Sequence, residues 1–430
     1  MKKNKFSLLY RMIYPSTPLR SRSQASHKAT PGTAGRTDSS LNSFFYYSEL
    51  VDSCPEQCRR RPGRTAREYF HIFSLMITYS FTLFTASLIN SAESITLDTL
   101  YGTYEITEPV LIDLLNAPSV QRLKKVNQYG VNYYLNAQPY TRYEHSVGVL
   151  VLLRRFGASE QEQVAGLLHD VSHTVFSHVG DHVLAQQNNA KFSGEQNMAY
   201  QDVIHNWFLQ QTELADILAH HNLSVEDVWH KNEIFPMMAP EHSEMNADRL
   251  EYILHGAYLE SMWREEDINA LLEKLRFESG HWFFIDQEKA KMFGVASLAL
   301  TEHVFAAPWN LVVYTSAARA LLRAVAINLI SLHDINFSTD DVVWRLLNES
   351  DDLEIQHCMN TIREYNKHFV MSTEDDYDLV LKSKCRGVNP LVLYNQQLSQ
   401  LTELDTDFAQ EFHRVKQLVT NPRYVKLIDD

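Results

Sequence analysis

A chain of 430 residues can hold one large core or two domains, and its net charge of −14 is unevenly spread. Residues 1–70 carry 13 Lys/Arg against 5 Asp/Glu, whereas the other 360 carry 26 against 48. An acidic body is a poor match for a nucleic-acid groove, which needs a basic stripe. Four cysteines (Cys54, Cys58, Cys358 and Cys385) are too few for a disulfide scaffold, and Cys54 and Cys58 lack the second Cys/His pair a zinc site would need.

In chain order, residues 1–70 are rich in Ser, Thr, Arg, Gly and Pro without an apolar period, which predicts a disordered basic extension. Residues 71–92 form a hydrophobic signal- or anchor-like segment. Its apolar run Ile72–Ile89 follows Arg59-Arg60-Arg61, Arg64 and Arg67 and precedes Asn90-Ser91-Ala92. The pattern predicts an exported protein or one tethered to a membrane through 72–89; the alternative is a cytoplasmic protein starting near Met76. Ser74, Thr78, Ser80, Thr82 and Thr85 dilute the run, so a permanent span would be weak.

Residues 93–275 read as the metal-binding domain. Leu97–Thr107 is a short strand or turn, and a helix starting at Pro109 turns Val110, Leu111, Leu114 and Leu115 inward. Helices follow over 119–128, from His145, from Glu160, and over 196–210, 212–220, 224–229 and 243–259. Residues 276–430 read as a hairpin plus a helical C-terminal region. The hairpin spans Leu275–Asp286 with Ser279-Gly280 at its turn. Helices are expected over 287–305, 309–332 and 339–348, the last capped by Thr339, then helices and loops over 351–430. The class is all-α, with the hairpin a minor feature.

The chemistry concentrates in Gly166-Leu-Leu-His169-Asp170-Val-Ser-His173-Thr-Val-Phe-Ser-His178-Val-Gly-Asp181. The i,i+4 spacing puts the His169 and His173 imidazoles on one helix face, and adjacent His169 and Asp170 point about 100° apart, so they would flank one ion while His173 faces the open side. Upstream stands Thr141-Arg142-Tyr-Glu144-His145-Ser-Val-Gly148; downstream Asp248, Glu251 and Tyr252 share one helix face. The ordered set His145, His169-Asp170 and Asp248 supplies two neutral nitrogens and two carboxylates. That donor set suits one divalent ion (Mn, Fe, Ni, Zn or Mg) with open positions, and argues against a closed structural zinc site.

These words resemble the HD-domain metal-dependent phosphohydrolases, nearest to the deoxynucleoside triphosphate triphosphohydrolase-like branch, over Leu97 to Tyr258. The resemblance implies an HD-type helical bundle and hydrolysis of a phosphate ester or anhydride, most naturally of a nucleotide, by a metal-activated water. By its place one turn past His169, His173 would protonate a leaving oxygen and Asp181 would orient a histidine; the resemblance implies a catalytic set of His173, His178 and Asp181, with His173 near the reacting phosphate and the other two supporting it. Arg142, Arg249 and Tyr252 would face phosphates or sugar, and Gln128 and Tyr129 match positions that contact the nucleoside sugar. Alternatively, Arg142 and Arg249 pair with Glu144 and Glu251. His205, His220, His221 and His242 fit no such pattern and read as ordinary histidines.

Two departures bear on the substrate. Gly194, ahead of Glu195-Gln196, stands where that branch has a histidine, and Trp309–Arg319 is mostly apolar where it brings Arg and His to a triphosphate. Losing such cations removes charge-assisted contacts. The alternative function is therefore a catalytically weak or inactive nucleotide-binding regulator. A homo-oligomer is left open.

Overall fold

The computed structural model describes residues 94–135, 138–181, 183, 199–239 and 245–428. The basic extension 1–70, the hydrophobic segment 71–92, Gly194-Glu195-Gln196 and His242 lie outside the described residues.

The described chain opens with an antiparallel hairpin, β1 (Ile95–Thr99) with β2 (Gly102–Ile106). Helix α1 (Pro109–Asn116) starts at a proline, where the missing N–H costs nothing, and buries Val110, Leu111, Leu114 and Leu115. The helix expected over 119–128 is shorter. Helix α2 (Pro118–Arg122) runs into a 3-10 turn, Leu123–Lys125, because the next residues pair with a distant segment. Gln128 N–H donates to the Tyr140 carbonyl and Arg142 N–H to the Val126 carbonyl, both at 2.8 Å.

Helix α3 (Arg142–Arg155) begins with a capping box, Thr141 and Glu144 satisfying each other's backbone N–H groups. Helix α4 (Glu160–Leu168) packs against it. The helix expected to run on through His169 and His173 ends at Leu168. Tight turns replace it, with Val171 N–H on the Leu168 carbonyl at 3.0 Å and His173 N–H on that of Asp170 at 3.1 Å. Arg122 holds those turns, donating to the carbonyls of Val171 (2.9 Å), His173 (2.8 Å) and Ser338 (3.0 Å). Phe176 and Ser177 adopt left-handed φ values of 57° and 56°, which no helix can continue through. His169 and His173 therefore do not share a helix face; tertiary contacts bring them together.

Helices α5 (Tyr200–Gln210), α6 (Leu214–His220), α7 (Ala247–Leu259) and α8 (Glu265–Leu272) follow, and residues 226–228 form only a 3-10 turn. Strands β3 (Leu275–Glu278) and β4 (His281–Phe284) form the expected hairpin, with positive φ at Ser279 and Gly280. Helix α9 (Gln287–Leu300) ends in a π-turn, Thr301–Phe305. Then come α10 (Pro308–Ala326), α11 (Leu332–Phe337), α12 (Asp340–Glu349) and α13 (Leu353–Arg363). Thr339 does not cap α12 through its side chain; its hydroxyl goes to the Asp341 carboxylate instead.

The C-terminal region is not the helical extension expected. It contains β5 (Phe369–Ser372), β6 (Leu379–Leu381), β7 (Leu391–Tyr394), β8 (Gln397–Gln400), α14 (Leu401–Leu404), α15 (Thr406–Thr420) and β9 (Arg423–Leu427). Strand β7 adds in parallel to β4, making a sheet β3-β4-β7-β8, while β9 lies antiparallel between β5 and β6. Runs such as Leu379-Val-Leu and Leu391-Val-Leu-Tyr are too short for a helical period and find their partners far along the chain. The fold is mostly helical, and its sheets are more than a minor feature.

One hydrophobic core runs from Leu97 in β1 to Val419 in α15. A second joins α10, α12 and α13 to Val175, Phe176 and Val179 of the turns after α4. Among the described residues no helix is long and apolar enough to cross a membrane.

Asp340 ties the second core to the motif. Its fully buried carboxylate accepts from Asn127 N and Nδ2 (2.9 Å each) and from Phe176 N (2.7 Å), and burial pushes it up to about 6. Asp340→Ala strands these donors and is expected to cost about 3 kcal/mol. Urea unfolding reads this directly; a midpoint equal to wild type would remove Asp340 from this role.

Candidate metal centre

Three elements converge at the seam between the two cores. Helix α3 brings His145 one turn in from its capped start, the end of α4 brings His169 and Asp170, and α7 brings Asp248 just inside its Asn246 cap. Donor atoms of His145, His169 and Asp248 lie within 4.8 Å of one another. His145 Nε2 is 3.1 Å from His169 Nε2 and 3.1 Å from Asp248 Oδ1, and His169 Nε2 is 3.7 Å from the same oxygen. Asp170 sits alongside, its oxygens 3.5 Å from His145 Nε2 and 3.6 Å from His169 Nε2.

The hydrogen bonds on the far side of each ring assign the tautomers. His169 Nδ1 donates to the Gly166 carbonyl at 2.7 Å, and His145 Nδ1 to Glu251 Oε2 at 2.5 Å. Both Nε2 atoms are then left with lone pairs that face each other beside two carboxylates. Such a cluster repels itself until a proton or cation enters, so the residues present fit a divalent ion. Burial alone would lower the His145 imidazole, but Glu251, Asp248 and Asp170 outweigh it and raise it to about 10. His145, His169 and Asp170 are buried, while the Asp248 side chain is 36% exposed, so the centre opens to solvent on the α7 side.

Of the other residues singled out in the sequence, Arg142 is buried and does not meet Glu144. Its Nη1 is ion-paired with Asp170 and its Nε donates to Ser177 Oγ at 3.0 Å. His173 Nε2 lies 3.2 Å from Asp170 Oδ1; burial and the Arg142 charge push this imidazole down to about 4, so it stays neutral. His178 stands edge-on to His173 with ring centroids 4.9 Å apart, and its Nδ1 is 3.0 Å from Asp181 Oδ2. Asp181 is anchored in turn by Tyr200 N–H at 2.9 Å. Tyr252 lies one turn beyond Asp248, and Arg249 is its neighbour on α7. The buried Gln128 Oε1, Tyr129 Oη and Tyr252 Oη have no hydrogen-bond partner by geometry within the chain. Gly130, at φ 53°, lets this segment pass the motif turns, where a Cβ would stand 2.4 Å from the Phe176 carbonyl oxygen.

Sequence reading placed Glu251 on the Asp248 face and offered it to Arg249, but missed that it holds His145. Fully buried, it accepts from Tyr101 Oη (2.9 Å), Tyr140 Oη, His145 Nδ1 and His255 Nδ1 (3.2 Å), and does not pair with Arg249. Burial would raise its carboxyl, but His145 and His255 bring it down to about 2. The available signal was its position one turn after Asp248. Gly148 is the counterpart: a Cβ there would fall 2.3 Å from Glu251 Oε1, so only glycine lets α3 and α7 close around the carboxylate. Behind His169 lies a buried layer, His230 with its ring 6.0 Å away and His205 a further 5.4 Å on, so His205 is a core histidine next to the centre.

Residues 142–268 match the HD domain family. The chain is 32% identical to the protein YdhJ of Bacillus subtilis, over 70% of this chain and 89% of that one. It is also 32% identical to the metal-dependent phosphohydrolase cns2 of Cordyceps militaris, over 71% and 87%. A shorter stretch, 20% of this chain and 16% of the other, is 33% identical to the deoxynucleoside triphosphate triphosphohydrolase SAMHD1 of Homo sapiens. A phosphohydrolase structure from Bacteroides thetaiotaomicron superposes with TM-score 0.59 at 15% identity, over 78% of this chain and 100% of that one, a likeness of fold.

Glu251→Gln keeps the volume but removes the charge that holds His145. Its affinity for Mn²⁺, measured by chelator competition, is expected to fall about ten- to a hundredfold. Unchanged affinity would show that Glu251 is only a packing element.

Proposed function

The chain belongs to the HD-domain metal-dependent phosphohydrolases, and from that premise we propose that it hydrolyses a phosphate ester or anhydride of a nucleotide at the centre formed by His145, His169, Asp170 and Asp248. The observation that carries the reading is the pair of opposed Nε2 lone pairs beside two carboxylates, open on the Asp248 side. A divalent ion held there supplies a Lewis acid and lowers the pKa of a nearby water.

The chain's own residues divide the remaining work. His173, neutral and turned onto Asp170, acts with Arg142 to position that carboxylate. His178 is the proton donor to the leaving oxygen: Asp181 holds its ring through Nδ1, and its side chain is 35% exposed, so Nε2 can exchange protons with substrate or solvent. Arg249 and Tyr252, next to and one turn beyond Asp248, take the phosphate side.

The nucleoside half of the reading rests on Gln128 and Tyr129. Buried polar atoms without partners are costly, and sugar hydroxyls are groups that would complete them. The partial similarity to a deoxynucleoside triphosphate triphosphohydrolase points the same way.

A panel of ribo- and deoxynucleoside mono-, di- and triphosphates with Mn²⁺, Fe²⁺ or Mg²⁺ is the test. Release of phosphate, pyrophosphate or triphosphate from at least one nucleotide is expected; no release from any would sink the nucleotide reading. On the substrate found, His178→Ala should lower kcat by about 10²–10⁴-fold with metal content unchanged. A kcat within twofold of wild type would take the proton-donor role from His178.

A further inference from the structure

Glu251 meets His145 through one of its two oxygens, and both oxygens are full. A carboxylate offers about four lone-pair positions. Oε1 accepts from Tyr101 Oη at 2.9 Å and from His255 Nδ1 at 3.2 Å. Oε2 accepts from Tyr140 Oη and from His145 Nδ1, the latter at 2.5 Å. The two donors on Oε2 stand side by side, with Tyr140 Oη 3.2 Å from His145 Nδ1. They draw on the electron density of a single atom.

Both phenols come from outside residues 142–268, and each is held by its own surroundings. Tyr101 is buried at the turn between β1 and β2. Its N–H donates to Thr99 Oγ1 at 3.2 Å, and its hydroxyl also lies 3.3 Å from the Glu251 carbonyl oxygen. Tyr140 is buried just ahead of α3. Its carbonyl accepts from Gln128 N–H at 2.8 Å, and its ring lies against that of His255 with centroids 3.9 Å apart. Tyr140 meets His145 on the Nδ1 edge of the imidazole, opposite the Nε2 atom that faces the centre.

Hydrogen bonds that share one acceptor weaken one another, because each draws on the same negative charge. In the interior that competition is felt in full, since no water stands by to replace a lost partner. Each phenol that Glu251 accepts therefore reduces its pull on the His145 Nδ1–H. A weaker pull leaves less electron density at Nε2, the atom offered to a cation. The two tyrosines keep the carboxylate in place and moderate it.

We propose that Tyr101 and Tyr140 are positioning residues of the metal centre: by sharing the Glu251 carboxylate with His145 they set how strongly that imidazole binds the ion, and hold it below the grip that Glu251 would give without them. The inference rests on the proposed function only in that a divalent ion binds at this centre; it needs neither the phosphate nor the nucleoside.

The test uses the full chain without substrate. Tyr140→Phe and Tyr101→Phe keep the rings and remove the competing donors. Affinity for Mn²⁺, measured by chelator competition, is expected to rise about three- to tenfold, and more at Tyr140, which shares its oxygen with His145. Replacing Tyr140 by 3-fluorotyrosine keeps the hydrogen bond but makes the phenol a stronger donor, so affinity should fall by a similar factor. In the Zn²⁺-loaded chain with isotope-labelled histidine, the His145 Nδ1–H proton resonance should move downfield in the phenylalanine variants and upfield with the fluorinated ring. Loosened packing would weaken binding in every variant and could not produce the two opposite signs. The fluorinated chain, which loses no contact, keeps the test open if the phenylalanine variants do not fold. Weaker Mn²⁺ binding in folded phenylalanine variants, or an affinity and a resonance that move in no folded variant, would overturn the proposal. A wild-type chain that binds no Mn²⁺ would end both the metal centre and this proposal. The expected shifts in a protein that hydrolyses no nucleotide would remove the nucleotide reading and leave this one standing.

Discussion

The structure depends on one buried carboxylate. Glu251 sits where α3, α7 and the segment ending at Tyr140 meet, and in that place an ionised group survives only if donors surround it. Two tyrosine hydroxyls and two imidazoles do so. The arrangement fixes which nitrogen of His145 carries the proton, and hence which presents a lone pair to the centre. It also explains the glycine in the His145-Ser-Val-Gly148 word: the closest approach of α3 to α7 is occupied by the carboxylate itself. The same negative field that holds a proton on His145 favours a cation between the two Nε2 atoms.

A second set of buried polar contacts shapes the turns after α4. There the backbone leaves the helix at Leu168 and exposes carbonyls inside the protein, and such groups need partners. Arg122 provides them for Val171 and His173, while Asp340 takes the Phe176 N–H and joins it to Asn127. Arg142 then holds Asp170 against the two histidines. The cations nearest the motif are committed to maintaining its geometry. That division explains why an acidic chain can work on phosphates: few positive charges are needed if the ion carries most of the attraction and the local arginines are placed well.

The C-terminal region is part of the same body as the metal-binding segments. Strand β7 pairs in parallel with β4, and residues as late as Val419 share a core with β1 and α3.

The sequence by itself brought out the candidate donors, because His145, His169-Asp170 and Asp248 stand in local words of His and Asp set beside apolar helical runs, and the structure draws His145, His169 and Asp248 together. It determined most helix positions too, since the apolar period and caps are local properties: the Pro109 start, the Thr141–Glu144 box and the Ser279-Gly280 turn are all legible within a few residues. Tertiary structure alone decided that α4 stops at Leu168, because Arg122 and Asp340 lie 46 residues before and 172 residues after that point in the numbering. It alone decided that 126–128 pairs with 140–142 and that the chain after Leu379 forms strands, since a short apolar run acquires its conformation from the partner that covers it. It decided the partners of Arg142 and Glu251 as well. A charged side chain carries no sequence mark of whether it ends in water or, as these two do, against the groups that surround a metal centre.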